Sequence, residues 1–187
     1  MSFYQLSSFS ISSLNSFEKI VLDTNVLLFL HGGYVPNSPW ERRKQAHYTS
    51  FVKQCLTNGF EIVVSVCSLQ ELFHVIENKE YELHLLRNGL KHELLSKKDF
   101  RKTASLRNAV GLKINNIYTQ ISAYYTVVDA DIKNIFISDF ASSYSTHLLD
   151  PMDFILVNNF SNYSHVLYVT DDGDFNSFSG IDVLTDR

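Results

Sequence analysis

The sequence contains only two cysteines in 187 residues and no apolar run long enough to cross a membrane. Cys55 and Cys67 have neither a metal-binding nor a redox spacing, and two cysteines make no disulfide framework. A membrane span needs about 18 or more apolar residues in a row. The N-terminus also lacks the basic start and apolar stretch of a secretory signal. We therefore expect a cytoplasmic protein with no membrane segment.

The chain also lacks an excess of positive charge, since its net charge is −4. This balance excludes a protein that coats nucleic acid over its whole surface. The charges are unevenly distributed, however. Residues 79–113 contain nine Lys or Arg and four Asp or Glu, whereas the rest of the chain contains seven Lys or Arg and 16 Asp or Glu. Segregation suits a protein that binds a polyanion on one surface and a metal on another. On charge alone, a solvated helical face is favoured.

The content of 45% apolar residues excludes disorder and predicts one domain with a full core. Short apolar runs typical of strands alternate along the chain with segments whose apolar residues recur at helical spacing. This alternation of strands and helices predicts an α/β fold with a doubly wound parallel sheet. Residues 1–17, with seven serines, are expected to form a loosely ordered extension. Residues 18–187 are expected to form a single domain with an enlarged helical segment at about 77–125.

Helix start signals are clearest where a cap precedes a proline. Ser38, Pro39 and Glu41 have the spacing of a capping box with proline at the first helical position. Residues 80–125 read as helical throughout, because apolar side chains recur at intervals of three and four. A further helix is predicted from Asp129 or Asp131 through residue 140.

Acidic residues stand at four points where a predicted strand ends or a predicted helix begins. These are Asp23, Glu71, Asp153 and the group Asp171, Asp172 and Asp174. In open α/β sheets, ligands bind outside the carboxyl ends of the strands. Carboxylates gathered there repel one another unless a cation holds them, and oxygen ligands suit Mg²⁺ or Mn²⁺. The layout predicts a metal-dependent active site.

Each of these positions also has a structural explanation. Ser68 and Glu71 have the spacing of a capping box, and Asp150 before Pro151 is typical of a helix N-cap. A parallel α/β chain places helix N-termini along one edge of its sheet, so part of the coincidence is architectural. Taken singly, the structural explanations are at least as good as the functional one.

The order of the motifs resembles the PIN domain family, whose name derives from the PilT N-terminus. Residues 21–28 (VLDTNVLL) resemble its opening motif, 68–72 (SLQEL) its second, 150–156 (DPMDFIL) its third and 168–175 (YVTDDGDF) its fourth. The motifs follow the family's order across residues 19–187. The resemblance implies an α/β/α sandwich around a mostly parallel sheet of four to five strands.

Matched position by position, the resemblance implies that the family's acidic residues fall on Asp23, Glu71, Asp153 and Asp172. Asp23, Asp153 and Asp172 are the expected metal ligands, with Asp171, Asp174 and Asp150 as rivals. Thr24 falls on the polar position after the first aspartate, and Asn25 is expected to orient Asp23 by hydrogen bonding. The implied activity is an Mg²⁺- or Mn²⁺-dependent endoribonuclease that leaves 5′-phosphate and 3′-hydroxyl ends.

Two basic groups are candidates for contacts to an RNA substrate. The first comprises Lys97, Lys98, Arg101, Lys102 and Arg107, which would position the RNA backbone. The second comprises Arg42, Arg43 and Lys44, near Trp40 and Tyr48, on whose rings bases of single-stranded RNA would stack. For the second group, an amphipathic helix with extended basic side chains is the favoured alternative.

Other functions are also compatible with the sequence. Asp172, Asp174 and Asn176 copy the first three ligand positions of an EF-hand, but Ser177 and Val183 replace its glycine and its last glutamate. A non-catalytic RNA- or protein-binding module with the same fold is a second alternative. Among enzymes, the toxin of a toxin–antitoxin pair competes with a housekeeping RNA-processing nuclease. For a toxin, the expected partners are a protein antitoxin and a second copy of the chain in a homodimer. The long basic segment and the serine-rich extension depart from the smallest family members and leave the subfamily open.

Overall fold

The structure is a computed structural model that describes residues 2–34, 36, 38–130, 142 and 146–187. Its strands are β1 (Ser2–Gln5), β2 (Lys19–Leu22), β3 (Ile62–Ser65), β4 (Thr126–Val128), β5 (Val166–Val169) and β6 (Asp182–Thr185). They form one parallel sheet in the order β1–β6–β5–β2–β3–β4. The predicted α/β fold with a central parallel sheet is confirmed.

Helices flank this sheet on both sides. The α-helices are α1 (Thr24–His31), α2 (Pro39–Thr57), α3 (Val66–Arg87), α4 (Lys97–Lys102), α5 (Ala104–Tyr124) and α6 (Pro151–Asn159). Shorter 3₁₀ helices cover Leu6–Ser8, Ile11–Ser16 and Asp174–Ser177.

The sheet separates two hydrophobic cores, because successive side chains of a strand point to opposite faces. In β2, Ile20 and Leu22 face the larger core, which receives side chains from α1, α2, α3 and α5. Val21 faces the smaller core, to which α6 contributes Leu156 and Val157. The layers are those of the predicted α/β/α sandwich.

The N-terminal segment is not the loosely ordered extension that its serines predict. Ser2–Gln5 pairs in register with Asp182–Thr185, and the backbone N of Ser2 donates to the Asp182 carboxylate at 2.8 Å. Leu14, in the second 3₁₀ helix, is completely buried in the larger core. Apolar residues between the serines supply this burial. The sheet therefore has six strands rather than four to five.

The start of α2 is the predicted capping box. The backbone N of Glu41 donates to the Ser38 hydroxyl at 3.1 Å, and the backbone N of Ser38 donates to the Glu41 carboxylate at 3.0 Å. Pro39 is the first helical residue. This prediction is confirmed.

The start of α3 differs from the prediction. Ser65 caps the helix, because its hydroxyl accepts from the backbone N of Cys67 at 3.2 Å. Ser68 is a buried residue within the helix, so the capping box proposed for Ser68 and Glu71 is wrong. The Glu71 side chain is therefore free of that capping role.

The long segment between Glu71 and Asp153 contains α3, α4 and α5 rather than one continuous helical run. Phe100 of α4 is buried in a separate cluster that includes Tyr81 of α3 and Val110 of α5. The helix predicted from residues 129 or 131 to 140 lies outside the described residues from 131 onward.

In the part of the chain that the structure describes, no helix has both the length and the apolar character of a membrane span. Cys55 and Cys67 are both free and buried. Burial raises the pKa of the Cys55 thiol to about 12 and also raises that of Cys67, so neither is an activated thiolate.

We expect Leu14→Ala to lower the free energy of unfolding by roughly 2 to 4 kcal/mol, because it opens a cavity in the larger core. Ser13→Ala, the exposed neighbour in the same 3₁₀ helix, is the control and should change it by less than about 0.5 kcal/mol. Urea unfolding followed by circular dichroism measures both. Equally small effects would show that this segment does not pack.

Candidate active site

The central strands β2 and β5 lie side by side at the topological switch point of the sheet. From β2 the sheet continues through β3 and β4 on one side, and from β5 through β6 and β1 on the other. Asp23 directly follows β2, and its backbone N donates to the carbonyl of Val169 at the end of β5, at 3.1 Å. Ligands of open parallel sheets bind in the crevice at such a point.

The Asp23 carboxylate is buried, and each of its oxygens accepts a hydrogen bond. The backbone N of Thr24 donates to Oδ1 at 2.6 Å, and the Thr170 hydroxyl donates to Oδ2 at 2.7 Å. Burial raises the pKa of Asp23 to about 6, although both hydrogen bonds oppose the rise. The negative charges of Glu71 and Asp172 add to it. Asp23 is therefore within electrostatic reach of two other predicted site acids.

Glu71 is linked to Asp23 through Thr24. The Thr24 hydroxyl donates to Oε2 of Glu71 at 2.7 Å, while the Thr24 backbone N donates to Asp23. Asn25 does not have the orienting role expected of it. It is exposed, and among the described contacts Thr24 and Thr170 hold the two oxygens of Asp23 instead.

Asp150 and Asp153 have different positions at the start of α6. Asp150 is the N-cap, and its Oδ1 accepts from the first two free backbone amides of the helix at 2.7 and 2.9 Å. Burial raises the pKa of Asp153 to about 8, and the charges of Asp23, Asp150, Asp172 and Glu71 raise it further. Asp153 thus belongs electrostatically to the same acidic group, and Asp150 is committed to the cap.

Asp171, one rival for the fourth acidic position, is engaged by a buried lysine. Lys44 of α2 has 1% of its side chain exposed, and its Nζ donates to both oxygens of Asp171 at 2.6 and 2.7 Å. The hydroxyl of the buried Tyr48 lies 3.2 Å from the same carboxylate. This ion pair commits Asp171 to holding α2 against the end of β5.

Asp172 and Asp174 differ in their surroundings. The backbone N of Asp172 donates to the Thr170 hydroxyl at 2.9 Å, and Asp172 adds to the raised pKa values of Asp23 and Asp153. Asp174 is exposed in the following 3₁₀ helix and is not among the principal causes of either shift. Of Asp171, Asp172 and Asp174, Asp172 is the one whose charge adds to the raised pKa values of both Asp23 and Asp153.

The second basic group does not match its predicted role as a whole. Lys44 is consumed by its ion pair, and Tyr48 is completely buried, so neither offers RNA a surface. Trp40 remains 52% exposed, and Lys44 Nζ lies 3.8 Å from the centre of its ring. Arg42 and Arg43 are exposed and stay predicted RNA contacts.

The first basic group lies on α4 and α5 and is partly engaged in surface ion pairs. Arg101 Nε donates to Glu77 at 2.6 Å, and Lys102 pairs with Asp99 at 2.8 Å. An ion pair in which both partners are exposed, such as that of Lys102 and Asp99, contributes little stability. The RNA contacts of Lys97, Lys98, Arg101, Lys102 and Arg107 remain a prediction.

The donor set of Asp23, Glu71, Asp153 and Asp172 consists of carboxylate oxygens, which is the ligand type that Mg²⁺ and Mn²⁺ prefer. Within the described ranges, no three Asp, Glu, His or Cys side chains are close enough to hold an ion where they stand. The charges of Glu71 and Asp172 nevertheless add to the raised pKa values of Asp23 and Asp153, and a cation would relieve that repulsion. The chemistry of the donors fits such an ion, and its binding requires the carboxylates to approach one another.

Thr170 was absent from the predicted site residues, and Lys44 was predicted as an RNA contact rather than as the partner of Asp171. Thr170 belongs to the fourth motif and directly follows β5, so a local signal existed for it. Lys44 had no such signal, because its partner Asp171 is 127 residues away.

Comparison with known proteins supports the architecture. No protein-family model matches the sequence, and no curated protein sequence matches it. Among solved structures, the protein matches a chain of VapBC2 from Rickettsia felis with a TM-score of 0.50 and 12% sequence identity. That structure contains VapBC2 bound to a DNA fragment from its promoter. The match covers 88% of this chain and 96% of that chain. The fold is PIN-like.

We expect the protein to lose stability as the pH rises when divalent cations are absent. The pKa values of Asp23 and Asp153, about 6 and about 8, exceed the ordinary value of 3.8. At a pH between 3.8 and these raised values, the folded state therefore binds more protons than the unfolded state. The stabilisation is complete below about pH 4 and is lost as the pH passes those folded values. Asp153→Asn should flatten this slope and raise the melting temperature at about pH 8.5 by several degrees.

Calorimetry in EDTA at about pH 5.5 and 8.5 measures this effect. Glu93→Gln, at an exposed acid after α3, is the control and should leave the slope unchanged. A wild-type protein that is more stable at the higher pH would contradict the prediction.

Lys44→Met should lower the free energy of unfolding by roughly 3 to 5 kcal/mol, because it leaves Asp171 largely buried without a counterion. Adding Asp171→Asn should recover part of the loss. Lys53→Met, at an exposed position of the same helix, should cost less than about 0.5 kcal/mol. Equal urea midpoints for the Lys44 and Lys53 variants would show that the ion pair contributes nothing.

Proposed function

We propose that this protein is a divalent-metal-dependent endoribonuclease with its centre at Asp23, Glu71, Asp153 and Asp172. The observation that supports this proposal is the electrostatic coupling of the four, seen at Asp153, whose pKa is raised first by burial and then further by the charges of the other three. Keeping like charges together in a partly buried crevice destabilises the fold, and perturbed carboxylates of this kind are typical of functional sites.

Each acid has a proposed role that follows from its position. Asp23 and Asp153 would be the main ligands of Mg²⁺ or Mn²⁺, Asp172 would complete the set, and Glu71 would orient the attacking water. When bound, the ion would lower the pKa of water and neutralise charge that develops on the phosphate. Thr170 and Thr24 would keep Asp23 in a fixed orientation through their hydrogen bonds to its two oxygens.

The expected products carry 5′-phosphate and 3′-hydroxyl ends. Water attacks phosphorus and the 3′-oxygen leaves, so the reaction does not use the 2′-hydroxyl of the RNA. The exposed basic side chains on α4 and α5 would bind the RNA backbone without reading its sequence.

We further propose that the enzyme is the ribonuclease toxin of a toxin–antitoxin pair. The PIN-like fold shared with a chain of VapBC2 supports this narrower role. A protein antitoxin and a second copy of the chain would then be its partners. A housekeeping RNA-processing nuclease with the same chemistry is the alternative.

A non-catalytic binding module is the second candidate function. The spacing of the acids favours it, since no three of the described candidate ligands stand within reach of one ion. Metal-dependent turnover distinguishes the two functions.

Asp23→Asn is expected to reduce Mn²⁺-dependent RNA cleavage at least about 100-fold, because it removes a charged ligand while keeping the side chain's size. Asp174→Asn is the matched control in the acidic loop and should keep activity within about twofold. Cleavage of a labelled oligoribonucleotide, with end-group analysis of the products, measures both. EDTA-resistant cleavage that leaves cyclic phosphate would refute the proposed chemistry.

The toxin role is checked with the same variants. Expression of the wild type should arrest bacterial growth, whereas expression of Asp23→Asn should not. Co-expression of the small protein encoded in the adjacent reading frame should restore growth. Active RNA cleavage in vitro without growth arrest would favour the housekeeping nuclease.

A further inference from the structure

The guanidinium of Arg187 lies directly against the acidic loop, defined here as residues 171–174. A Cβ added to Gly173 would overlap Nη1 of Arg187 and would stand 3.0 Å from its Cζ and 3.7 Å from its Nη2. Gly173 is flanked by Asp172 and Asp174 in the chain. The loop that carries Asp172, one of the proposed site acids, therefore leaves space for a guanidinium beside residue 173. Only glycine at this position leaves that space free, because any Cβ would overlap the guanidinium.

The backbone that carries Arg187 is held in place by α2 and by the sheet. The carboxylate of Asp186 lies 2.9 Å from Nδ1 of His47, and the backbone N of Asp186 donates to the Tyr48 hydroxyl at 3.1 Å. Just before it, β6 pairs with β5. The position of Arg187 beside the loop thus follows from a fixed anchor one residue away.

Arg187 differs from Lys44 in being available to a ligand. It is exposed and makes no ion pair with any residue in the described ranges, whereas the ammonium of Lys44 is bonded to Asp171. A guanidinium presents five N–H donors in a planar fork that matches two phosphate oxygens. Its chemistry fits a phosphodiester better than a point charge would.

We propose that Arg187 binds a backbone phosphate of the RNA beside the carboxylate centre and thereby positions the strand. This inference rests on the proposed function, because it takes RNA as the ligand of that centre. Four carboxylates repel a polyanion, and a guanidinium on the loop of Asp172 offsets this repulsion where the strand comes nearest to them.

Two substitutions test the same contact from opposite sides. Arg187→Gln removes the charge, whereas Gly173→Ala keeps the charge and displaces it with the new Cβ. Gly173 has φ −76° and ψ −17°, a conformation that alanine adopts without strain. The Cβ therefore meets only the flexible end of the Arg187 side chain.

The measurement is binding of a labelled single-stranded oligoribonucleotide in EDTA, followed by fluorescence anisotropy over a salt series. Each variant should weaken binding about tenfold, and the double variant should be no weaker than either single one, because both remove one contact. The slope of log K against log salt should fall by about 0.7, the value for one phosphate contact with a single strand. Arg87→Gln, at the exposed end of α3, makes the same charge change and should bind as the wild type does.

The proposal is overturned if Arg187→Gln binds RNA with the affinity and salt slope of Arg87→Gln, or if Gly173→Ala changes neither. Cleavage assays on the same proteins separate this result from the proposed function. A wild type that binds RNA as expected but does not cleave it with Mg²⁺ or Mn²⁺ refutes only the reaction. A wild type that cleaves RNA while Arg187→Gln matches Arg87→Gln refutes only the role of Arg187. A wild type that neither binds RNA in EDTA nor cleaves it with Mg²⁺ or Mn²⁺ refutes both.

Discussion

The hydrogen bond from the Thr170 hydroxyl to Asp23 joins the ends of the two central strands, and the rest of the site is arranged around it. Parallel pairing sets Leu22 opposite Val169, so the residues that follow them are forced side by side. The same hydroxyl oxygen accepts from the backbone N of Asp172. One buried threonine thus fixes the carboxylate of the first motif and the backbone of the fourth.

Adjacent aspartates in the acidic loop have opposite physical roles. Asp171 turns toward α2, where the buried Lys44 neutralises it, whereas Asp172 adds charge to an already acidic crevice. The ion pair of Asp171 with Lys44 anchors the loop, whereas the charge of Asp172 adds electrostatic repulsion between the loop and the other acids. A loop under such repulsion needs a strong attachment elsewhere, and the nearly inaccessible ion pair provides it.

Local signals predicted the parts of the fold that depend on local chemistry. The capping box of Ser38 and Glu41 formed as its spacing indicates. Ser65 and Ser68 both precede apolar residues at helical spacing, so sequence could not decide which one caps α3. The strand at Ser2–Gln5 and the Lys44–Asp171 pair depend on partners more than 120 residues away, and no local pattern reveals them. Four short acidic motifs still predicted a PIN-like fold. The overall identity to the VapBC2 chain is only 12%, which is too low to reveal this fold without the motifs.

The pairing of β1 with β6 has a consequence for biosynthesis. The backbone N of Ser2 bonds to a carboxylate 180 residues further along the chain. A ribosome adds about 5 to 20 residues per second, so β1 emerges roughly 10 to 40 s before its partner strand exists. Both the acidic loop and Arg187 emerge in the same late interval. The nascent chain therefore pairs β1 with β6 only after Asp182–Thr185 has been synthesised, when all four acidic residues are already present in the chain.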